Sequence, residues 1–480
     1  MTEPWRAFEA DLKRNFQFSP TRDQAEAMSE LARFCLSTRS REVFLLKGYA
    51  GTGKTTLIRS LVKTLWKHRR KPVLLAPTGR AAKVMSQYAK KPAFTIHKYI
   101  YVPRRGSSGF GSFKRRENKA SNSFYIVDEA SMIGDERGEE GRSLLDDLLT
   151  FVNEGVNCKV IMVGDVAQLP PVHTEISPAL DPQQLELNHR LSVFEKEMRQ
   201  VMRQAEGSVL LSNATRLREA QQNEEMKLPR LTTGADVRRL LEGFEIEEAL
   251  NDSFREVGRE GTALIVRSNK RAGLYNRQIR QRILWQEDEI SAGDFLMVVK
   301  NNYFWLPKES KANFIANGDI AELLRIYEIK ELYGYRFARV RLRLVDYPDE
   351  DPFEAQIFLD VLDLPSASLP WEEGRQFYQS VLADYQELPS KYKQHQAVRE
   401  NPYFNALQVK FAYAVTCHKA QGGQWQNVFV EKPWLPDGEV NLDYLRWLYT
   451  AFTRAREKIY LIGFGDEYFT PGPGSLSDAQ

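Results

Sequence analysis

Residues 48–55 read G-Y-A-G-T-G-K-T, a glycine-rich loop of the form G-x-x-x-x-G-K-[ST]. That spacing lets backbone N–H groups turn inward onto phosphate oxygens, with a following helix N-terminus adding partial positive charge. Gly48, Gly51, Thr52, Gly53, Lys54, Thr55 and Thr56 therefore form a candidate cradle for a nucleoside triphosphate. Lys54 is predicted to reach the β/γ-phosphates and the Thr55 hydroxyl to bind magnesium. Residues 124–132, F-Y-I-V-D-E-A-S-M, read as an apolar strand ending in two acids. Asp128 is placed there to hold magnesium, and Glu129 to orient and deprotonate an attacking water. A further strand end, V-G-D-V-A-Q-L-P-P-V over 163–172, offers the Gln168 amide as a sensor of the terminal phosphate. Arg190 and Arg454 are candidate arginine fingers, the second on a helix predicted over 443–456.

These residues need rigid strand ends to carry them. Short continuous apolar runs, the mark of fully buried parallel strands, fall into two groups. One comprises 43–46, 72–76, 124–127 and 159–163; the other 263–266, 411–415, 427–430 and 458–462. A largely helical stretch is expected between them, over about 191–256. The alternation of strands and helices predicts two doubly wound α/β units. Two stretches break the pattern. Residues 99–123, rich in Gly, Ser, Arg and Lys, suit a projecting hairpin. Within 317–404, Val340, Leu342 and Leu344 alternate with Arg339, Arg341 and Arg343, as in a half-buried antiparallel strand of a small β-barrel-like insertion, with a helix near 371–388. The last ten residues, 471–480, read as a disordered tail.

At 480 residues the chain has length for about three domains, and its 42% hydrophobic and 27% charged content excludes fibrous or wholly unfolded classes. Three widely separated cysteines, Cys35, Cys158 and Cys417, argue against structural zinc and suit a reducing compartment. No run of 18 apolar residues and no apolar signal core is present, so a cytoplasmic protein without membrane partners is expected. The net charge of +3 says little about partners by itself.

Taken in order, the motifs resemble superfamily 1 helicases of the B group, of the RecD/Dda type. The residues carrying the resemblance are F-S-P-T-R-D-Q at 18–24, the phosphate loop, A-P-T-G-R-A-A at 76–82, T-I-H-K at 95–98, I-V-D-E-A-S, G-D-V-A-Q-L-P-P, L-N-H-R, T-C-H-K-A-Q-G at 416–422 and Y-T-A-F-T-R-A-R at 449–456. The resemblance implies two RecA-like domains, ATP and Mg2+ in the cleft between them, and 5′-to-3′ movement along single-stranded DNA. It implies domain 1A over 1–190 with a pin-like insertion at 99–123, a helical connection and the start of domain 2A over 191–316, an SH3-like insertion over 317–404 and the rest of 2A over 405–470. Gln24 would read the adenine, with Lys54, Asp128, Glu129, Gln168, Arg190 and Arg454 around the phosphates. Thr78, His97, Lys98, Thr416, His418 and Lys419 would touch DNA, and Phe110 or Phe113 would stack on the duplex end. Single-stranded DNA and its junctions with duplex are the implied partners, with a single-strand-binding, replication or repair protein as a further candidate. Where relatives commonly read Q-G-S-E, residues 421–424 read Q-G-G-Q, an amide at Gln424 replacing the acid. The function expected is ATP-dependent unwinding of duplex DNA; the alternative is a single-strand translocase that displaces bound proteins without efficient unwinding. A metabolic P-loop kinase or transferase accounts for the phosphate loop but not for residues 416–422.

Overall fold

Apolar runs that lack a polar face become strands covered by helices on both sides. The computed structural model describes every residue except 1–3, 104–112, 138–140, 173, 202–206, 308–309, 311, 313, 436–437 and 471–480. Its strands are β1 (Glu42–Gly48), β2 (Lys71–Ala76), β3 (Ala93–Thr95), β4 (Tyr101–Pro103), β5 (Phe113–Arg115), β6 (Ser123–Val127), β7 (Lys159–Gly164), β8 (Ser192–Met198), β9 (Val237–Leu240), β10 (Thr262–Val266), β11 (Phe295–Val298), β12 (Ile320–Leu332), β13 (Tyr335–Leu344), β14 (Phe353–Phe358), β15 (Leu407–Phe411), β16 (Ala414–Thr416), β17 (Trp425–Glu431) and β18 (Ala455–Ile462). Its helices are α1 (Pro4–Asn15), α2 (Arg22–Leu36), α3 (Lys54–Lys67), α4 (Gly79–Ala89), α5 (Ile96–Ile100), α6 (Leu144–Glu154), α7 (Pro182–His189), α8 (Val209–Gln222), α9 (Gly243–Val257), α10 (Asn269–Gln278), α11 (Trp371–Ala383), α12 (Lys391–Glu400), α13 (Cys417–Ala420) and α14 (Leu442–Phe452).

Among the described residues the first sheet has six parallel strands in the order β3-β2-β6-β7-β1-β8. Alternate residues of its strands feed two cores. Phe44, Leu46, Phe124, Ile126 and Ile161 pack under α1, α2 and α3, whereas Val43, Leu45, Tyr125, Val127 and Met162 pack under α5, α6 and α7. The second sheet, β16-β10-β17-β18-β9, is also parallel. Ile265, Val430 and Leu461 face α8 and α14, and Leu264, Phe429 and Tyr460 face α9 and α10. The architecture is two doubly wound parallel sheets with a small barrel inserted in the second half. The barrel closes through β11-β12-β13-β14-β15. In β13 the expected alternation holds: Val340, Leu342 and Leu344 point into the barrel core, and the intervening arginines point out. Helices α11 and α12 pack on its outside over Phe337 and Phe358.

Several expectations are corrected by the pairing. The stretch 191–256 is not simply helical, because it contains β8 and β9, which form the edges of the two sheets. Their sequences, S-V-F-E-K-E-M and V-R-R-L, are half polar as edge strands are, and so they lack the apolar run that marks a central strand. The apolar run 411–415 divides into the end of β15, a barrel strand, and the start of β16, a sheet strand. Sheet pairing also carries the first half past residue 190 to Met198, and the barrel draws strands from both sides of 317–404. Within the 99–123 insertion, β4 and β5 pair antiparallel, Pro103 opposite Phe113. Phe110 and the tail 471–480 lie outside the described residues. No described helix is long and apolar enough to cross a membrane.

Candidate functional site

Both sheets are parallel, so the loops leaving their strand C-termini gather along one edge, where open α/β sheets bind ligands. The loop after β1 is the phosphate cradle. Gly51 (φ +75°) and Gly53 (φ +86°) adopt left-handed backbone that L side chains rarely take, and Gly53 is the N-cap of α3 with no side chain capping that end. The first N–H groups of α3 therefore point into the cradle, as an anion requires. Lys54 Nζ is folded onto its own loop, donating to the carbonyls of Gly48 (2.5 Å) and Tyr49 (3.0 Å). Thr52 is buried and its hydroxyl donates to Tyr49 O (2.8 Å). Thr55 is exposed at the first turn of α3.

Gln24 sits behind this loop, fully buried, in a capping box with Thr21. Its Nε2 donates to Thr52 O (2.9 Å) and its Oε1 accepts from Thr21 N–H (2.9 Å). One end of the amide thus ties down the phosphate loop and the other closes the N-cap of α2.

The acids arrive on the neighbouring strand. Asp128 follows β6, its carboxylate fixed by the hydroxyl of Tyr88 on α4 (2.7 Å) and by the Glu129 N–H (2.9 Å). Glu129 has φ +53°, a conformation uncommon for a side-chain-bearing residue and frequent at functional positions. Burial raises its carboxyl pKa, Asp128 and Asp165 push the same way, and Arg454 and Lys54 oppose them. One carboxyl thus lies within electrostatic reach of a lysine from the first half and an arginine from the second.

Arg454, 2% exposed, lies just past α14 and donates to Thr450 O (3.0 Å), Thr453 Oγ1 (3.1 Å) and Gly423 O (3.3 Å). Gln168 is buried on the loop after β7, and its Oε1 has no hydrogen-bond partner. Such an orphaned amide in a cleft points to a missing ligand or water.

Arg190 is not brought to this edge. It is exposed at the C-cap of α7, two residues before β8, and β8 runs parallel to β1 with Ser192 opposite Glu42 and Met198 opposite Gly48. Arg190 therefore stands at the start of the strands, and the phosphate loop at their end, about 20 Å away along a seven-residue strand. It cannot act as a finger from there.

Direct hydrogen bonds join the halves at the cleft. The Tyr449 hydroxyl, on α14, donates to Asp165 Oδ2 (2.7 Å) and accepts from the Ala50 N–H of the phosphate loop (3.0 Å). Thr450 Oγ1 accepts from Leu169 N–H (2.8 Å), and Gln421 Nε2 donates to Leu169 O (2.7 Å). Tyr449 opens the motif at 449–456, but the sequence does not say what its hydroxyl meets, and Tyr88 lies outside every motif. A tyrosine inside a helical apolar pattern reads as core, and only the fold shows what its hydroxyl meets.

Beside the cleft is a cavity of about 400 Å³ lined by Thr78, Arg80, His97, His418 and Lys419, with Asn317 from the loop that leads into β12. Thr78 caps α4, its hydroxyl accepting from Ala81 N–H (3.2 Å). Burial lowers the pKa of His97, His418 and Lys419. Lys98 is also lowered by burial and donates to Ala312 O (3.1 Å). Thr416 stands at the N-cap position of α13 without a side-chain cap bond and, with Lys419, lines a smaller cavity of about 110 Å³ against β15 and α10. Thr78 and His97 of the first half and His418 and Lys419 of the second thus line one cavity, whereas Thr416 faces the smaller one within the second half. Phe113 lies on β5, and only its backbone register with Pro103 is described.

Comparison with known proteins matches two family descriptions, an AAA domain over residues 20–233 and a UvrD-like helicase C-terminal domain over 411–462. The chain is similar to the ATP-dependent RecD2 DNA helicase of Deinococcus radiodurans, 24% identical over 461 residues that cover 92% of this chain and 48% of that protein. It spans about half the length of that relative. It is also similar to the ATP-dependent DNA helicase dda of Enterobacteria phage T4, 24% identical over 440 residues, covering 87% of this chain and 93% of that one. Among solved structures, a Pif1 helicase from Bacteroides in complex with ADP-AlF3 and ssDNA aligns over 95% of each chain with 15% identity and a TM-score of 0.48.

Proposed function

From the premise that this chain belongs to the superfamily 1 B-group helicases of the RecD/Dda type, we propose that it is an ATP-dependent DNA helicase that moves 5′-to-3′ on single-stranded DNA and opens duplex ahead of it. The observation that carries this reading is the shared cleft. Tyr449 of the second half bonds the phosphate loop of the first, Arg454 lies near Glu129, and strand-facing residues of both halves line the adjacent cavity.

On this reading Lys54 leaves the carbonyls of Gly48 and Tyr49 for the β/γ-phosphates, and the N-terminus of α3 holds their charge. Thr55 and Asp128 offer only oxygen donors, which suits magnesium, a hard cation that keeps several waters. Bound there, the ion would neutralise charge on the β- and γ-oxygens. Glu129 takes a proton from the water that attacks the γ-phosphorus as the bond to the β-phosphate oxygen breaks, leaving ADP and phosphate. Burial raises the Glu129 carboxyl pKa and so strengthens it as a proton acceptor, while Arg454 and Lys54 restrain the shift. Gln168 and Arg454 face the terminal phosphate from opposite halves, so its loss loosens the closure and changes the grip on the strand. The division into 1A, 2A, the hairpin and the barrel insertion belongs to the same reading.

The test is nucleotide turnover with and without single-stranded DNA and RNA, followed by strand displacement on partial duplexes. The expected result is DNA-stimulated turnover and unwinding from a 5′ overhang only. Turnover indifferent to oligonucleotide sinks the motor; unwinding from a 3′ overhang alone reverses the polarity.

A further inference from the structure

Arg80 is the second residue of α4 and lines the strand cavity, yet its guanidinium forms no hydrogen bond among the described residues, and its Nη1 is buried without a partner. A buried guanidinium with an unused donor is costly unless something occupies it. The protein holds it by stacking instead. Arg80 Cζ lies 3.8 Å from the centroid of the Trp425 ring, the shortest such separation among the described cation–π pairs. Gly423 makes the room: a Cβ there would stand 2.7 Å from Arg80 Nε, 2.9 Å from Arg80 Cδ and 2.9 Å from Trp425 Cη2.

Among the nearby charges Asp346 acts most strongly on Arg80, and the arginines Arg456 and Arg454 act against it. Burial lowers the Arg80 pKa to about 10, with Arg454 and Arg456 pushing the same way and Asp346 opposing. Asp346 gives its hydrogen-bonded oxygen to Lys83 (2.8 Å) rather than to Arg80. The other face of the same peptide segment belongs to the nucleotide cleft. Gly423 O accepts from Arg454 Nη1 (3.3 Å), and Trp425 N–H donates to Arg454 O (3.0 Å). Arg80 and Arg454 thus grip residues 423–425 from opposite sides, one from the strand cavity and one from the cleft.

We propose that Arg80 binds a backbone phosphate of the nucleic-acid strand, and that its seat on Gly423 and Trp425 transmits the arrival of that phosphate to Arg454. The inference deepens the function proposed above and rests on it. A phosphate at Nη1 satisfies the unused donor with a charge-assisted bond and offsets the repulsion among Arg80, Arg454 and Arg456. The guanidinium then draws toward the cavity, its stacking on Trp425 changes, and the Gly423 carbonyl that orients Arg454 moves with it. Arg80 is a strand contact; Gly423 and Trp425 are positioning residues.

The experiment measures binding of a fluorescein-labelled oligo(dT) by anisotropy across a salt series, together with ATP turnover at zero and saturating strand, for the full chain and for Arg80→Gln, Arg80→Lys and Gly423→Ala. Arg80→Gln is expected to weaken binding several-fold and to flatten the slope of log affinity on log salt by about 0.7, the contribution of one phosphate on a single strand. Arg80→Lys should keep the slope. Gly423→Ala should cut the stimulation of turnover by strand several-fold. An unchanged slope in Arg80→Gln, or equal losses in Arg80→Gln and Arg80→Lys at unchanged slope, makes Arg80 a packing residue and overturns the proposal. Full stimulation in Gly423→Ala overturns the relay. If the unsubstituted chain binds no strand, the functional reading itself falls, an outcome distinct from a chain that binds normally with or without Arg80.

Discussion

The nucleotide cleft and the strand cavity are adjacent spaces between the same two halves, but they are held together differently. Across the cleft the halves bond directly: Tyr449 to Asp165 and Ala50, Thr450 to Leu169, Gln421 to Leu169. Around the cavity the facing groups are cationic or titratable, Arg80, His97, His418 and Lys419, and burial depresses the charge of each. The cleft is a built hydrogen-bonded joint that needs its ligand only for chemistry. The cavity holds an arginine and a lysine, with two imidazoles that gain charge as pH falls, and an anion would complete it. Binding at such a cavity should depend on salt and pH, whereas turnover at such a cleft should depend on geometry.

The largest effects belong to the cleft. Lys54→Ala should lower ATP turnover by about a thousandfold, since no other described lysine enters the phosphate loop and a charge aimed at the transferring phosphoryl group stabilises the transition state directly. Glu129→Gln should keep nucleotide affinity and lose turnover by roughly 10² to 10⁴, the range of a general base. Single-turnover kinetics with a fluorescent ATP analogue separates the two. Normal turnover in Glu129→Gln removes that residue from water activation and leaves the cleft without an identified base.

Next in size is a stability effect at the rim of the cavity. Asp319 is 2% exposed, Oδ1 lacks a partner, and burial raises its pKa to about 7 from an ordinary 3.8. A carboxyl whose folded pKa lies above its unfolded one binds the extra proton in the folded state, so stability falls as pH rises from about 4 to about 7 and stays lowered above that. Asp319→Asn should therefore be more stable than the parent chain by on the order of 2 kcal/mol at pH 8, the gap closing toward pH 4. Urea melts at the two pH values decide it. A gap independent of pH would mean that the charge at 319 is balanced in the folded protein.

Smaller again is the expected effect of Tyr449→Phe. The ring stays, but Asp165 and the Ala50 N–H lose their shared partner. A lost hydrogen bond to a charged acceptor in a buried place is worth about 1.5 kcal/mol or somewhat more. The expected outcome is a roughly tenfold fall in kcat with KM for ATP little changed, because the joint orients groups around the reacting phosphate rather than holding the nucleotide. A rise in KM at constant kcat would reverse that assignment and blur the contrast between the two spaces.

Legibility in the sequence divides along the same line. Contiguous motifs are readable because a single loop holds all the parts it needs. The phosphate loop carries its glycines within eight residues, and Asp128 and Glu129 directly follow an apolar strand. Arg454 is readable for the same reason. Arg190 is misplaced by sequence because its position depends on β8, whose S-V-F-E-K-E-M does not look like a strand until it is seen at a sheet edge, pairing with β1. Arg80 and Tyr449 sit inside readable motifs, but what they meet is illegible, as is the place of Trp425, because their partners are far away along the chain. Asp165 is 284 residues from Tyr449, and no periodicity spans such a distance. The closed barrel is foreshadowed by the alternation in β13, but its first and last strands, β11 and β15, are hidden because F-L-M-V and L-Q-V-K-F resemble any short buried strand.

The smallest effect is the pH dependence of strand binding. Burial holds the pKa of His97 and His418 below the ordinary 6.5, and for His418 the nearby Arg267 adds to the depression while Asp443 opposes it. Both imidazoles are therefore mostly neutral at pH 7. A phosphate in the cavity stabilises the protonated ring, so the strand-bound pKa lies above the strand-free one and binding takes up protons in the window between them. By linkage, affinity for oligo(dT) should rise as pH falls from 7.5 toward 5.5, by about three- to tenfold at constant ionic strength. His97→Gln with His418→Gln should flatten that rise while leaving affinity at pH 8 within about threefold of the parent, because neither ring carries charge there. Arg80, with a pKa of about 10, stays protonated throughout this range, but Asp319 at the rim, raised to about 7, gains a proton across it, so the histidine pair is compared in the Asp319→Asn background. A parent chain whose affinity is flat from pH 8 to 5.5 would place the phosphates elsewhere on the cavity wall, away from both rings.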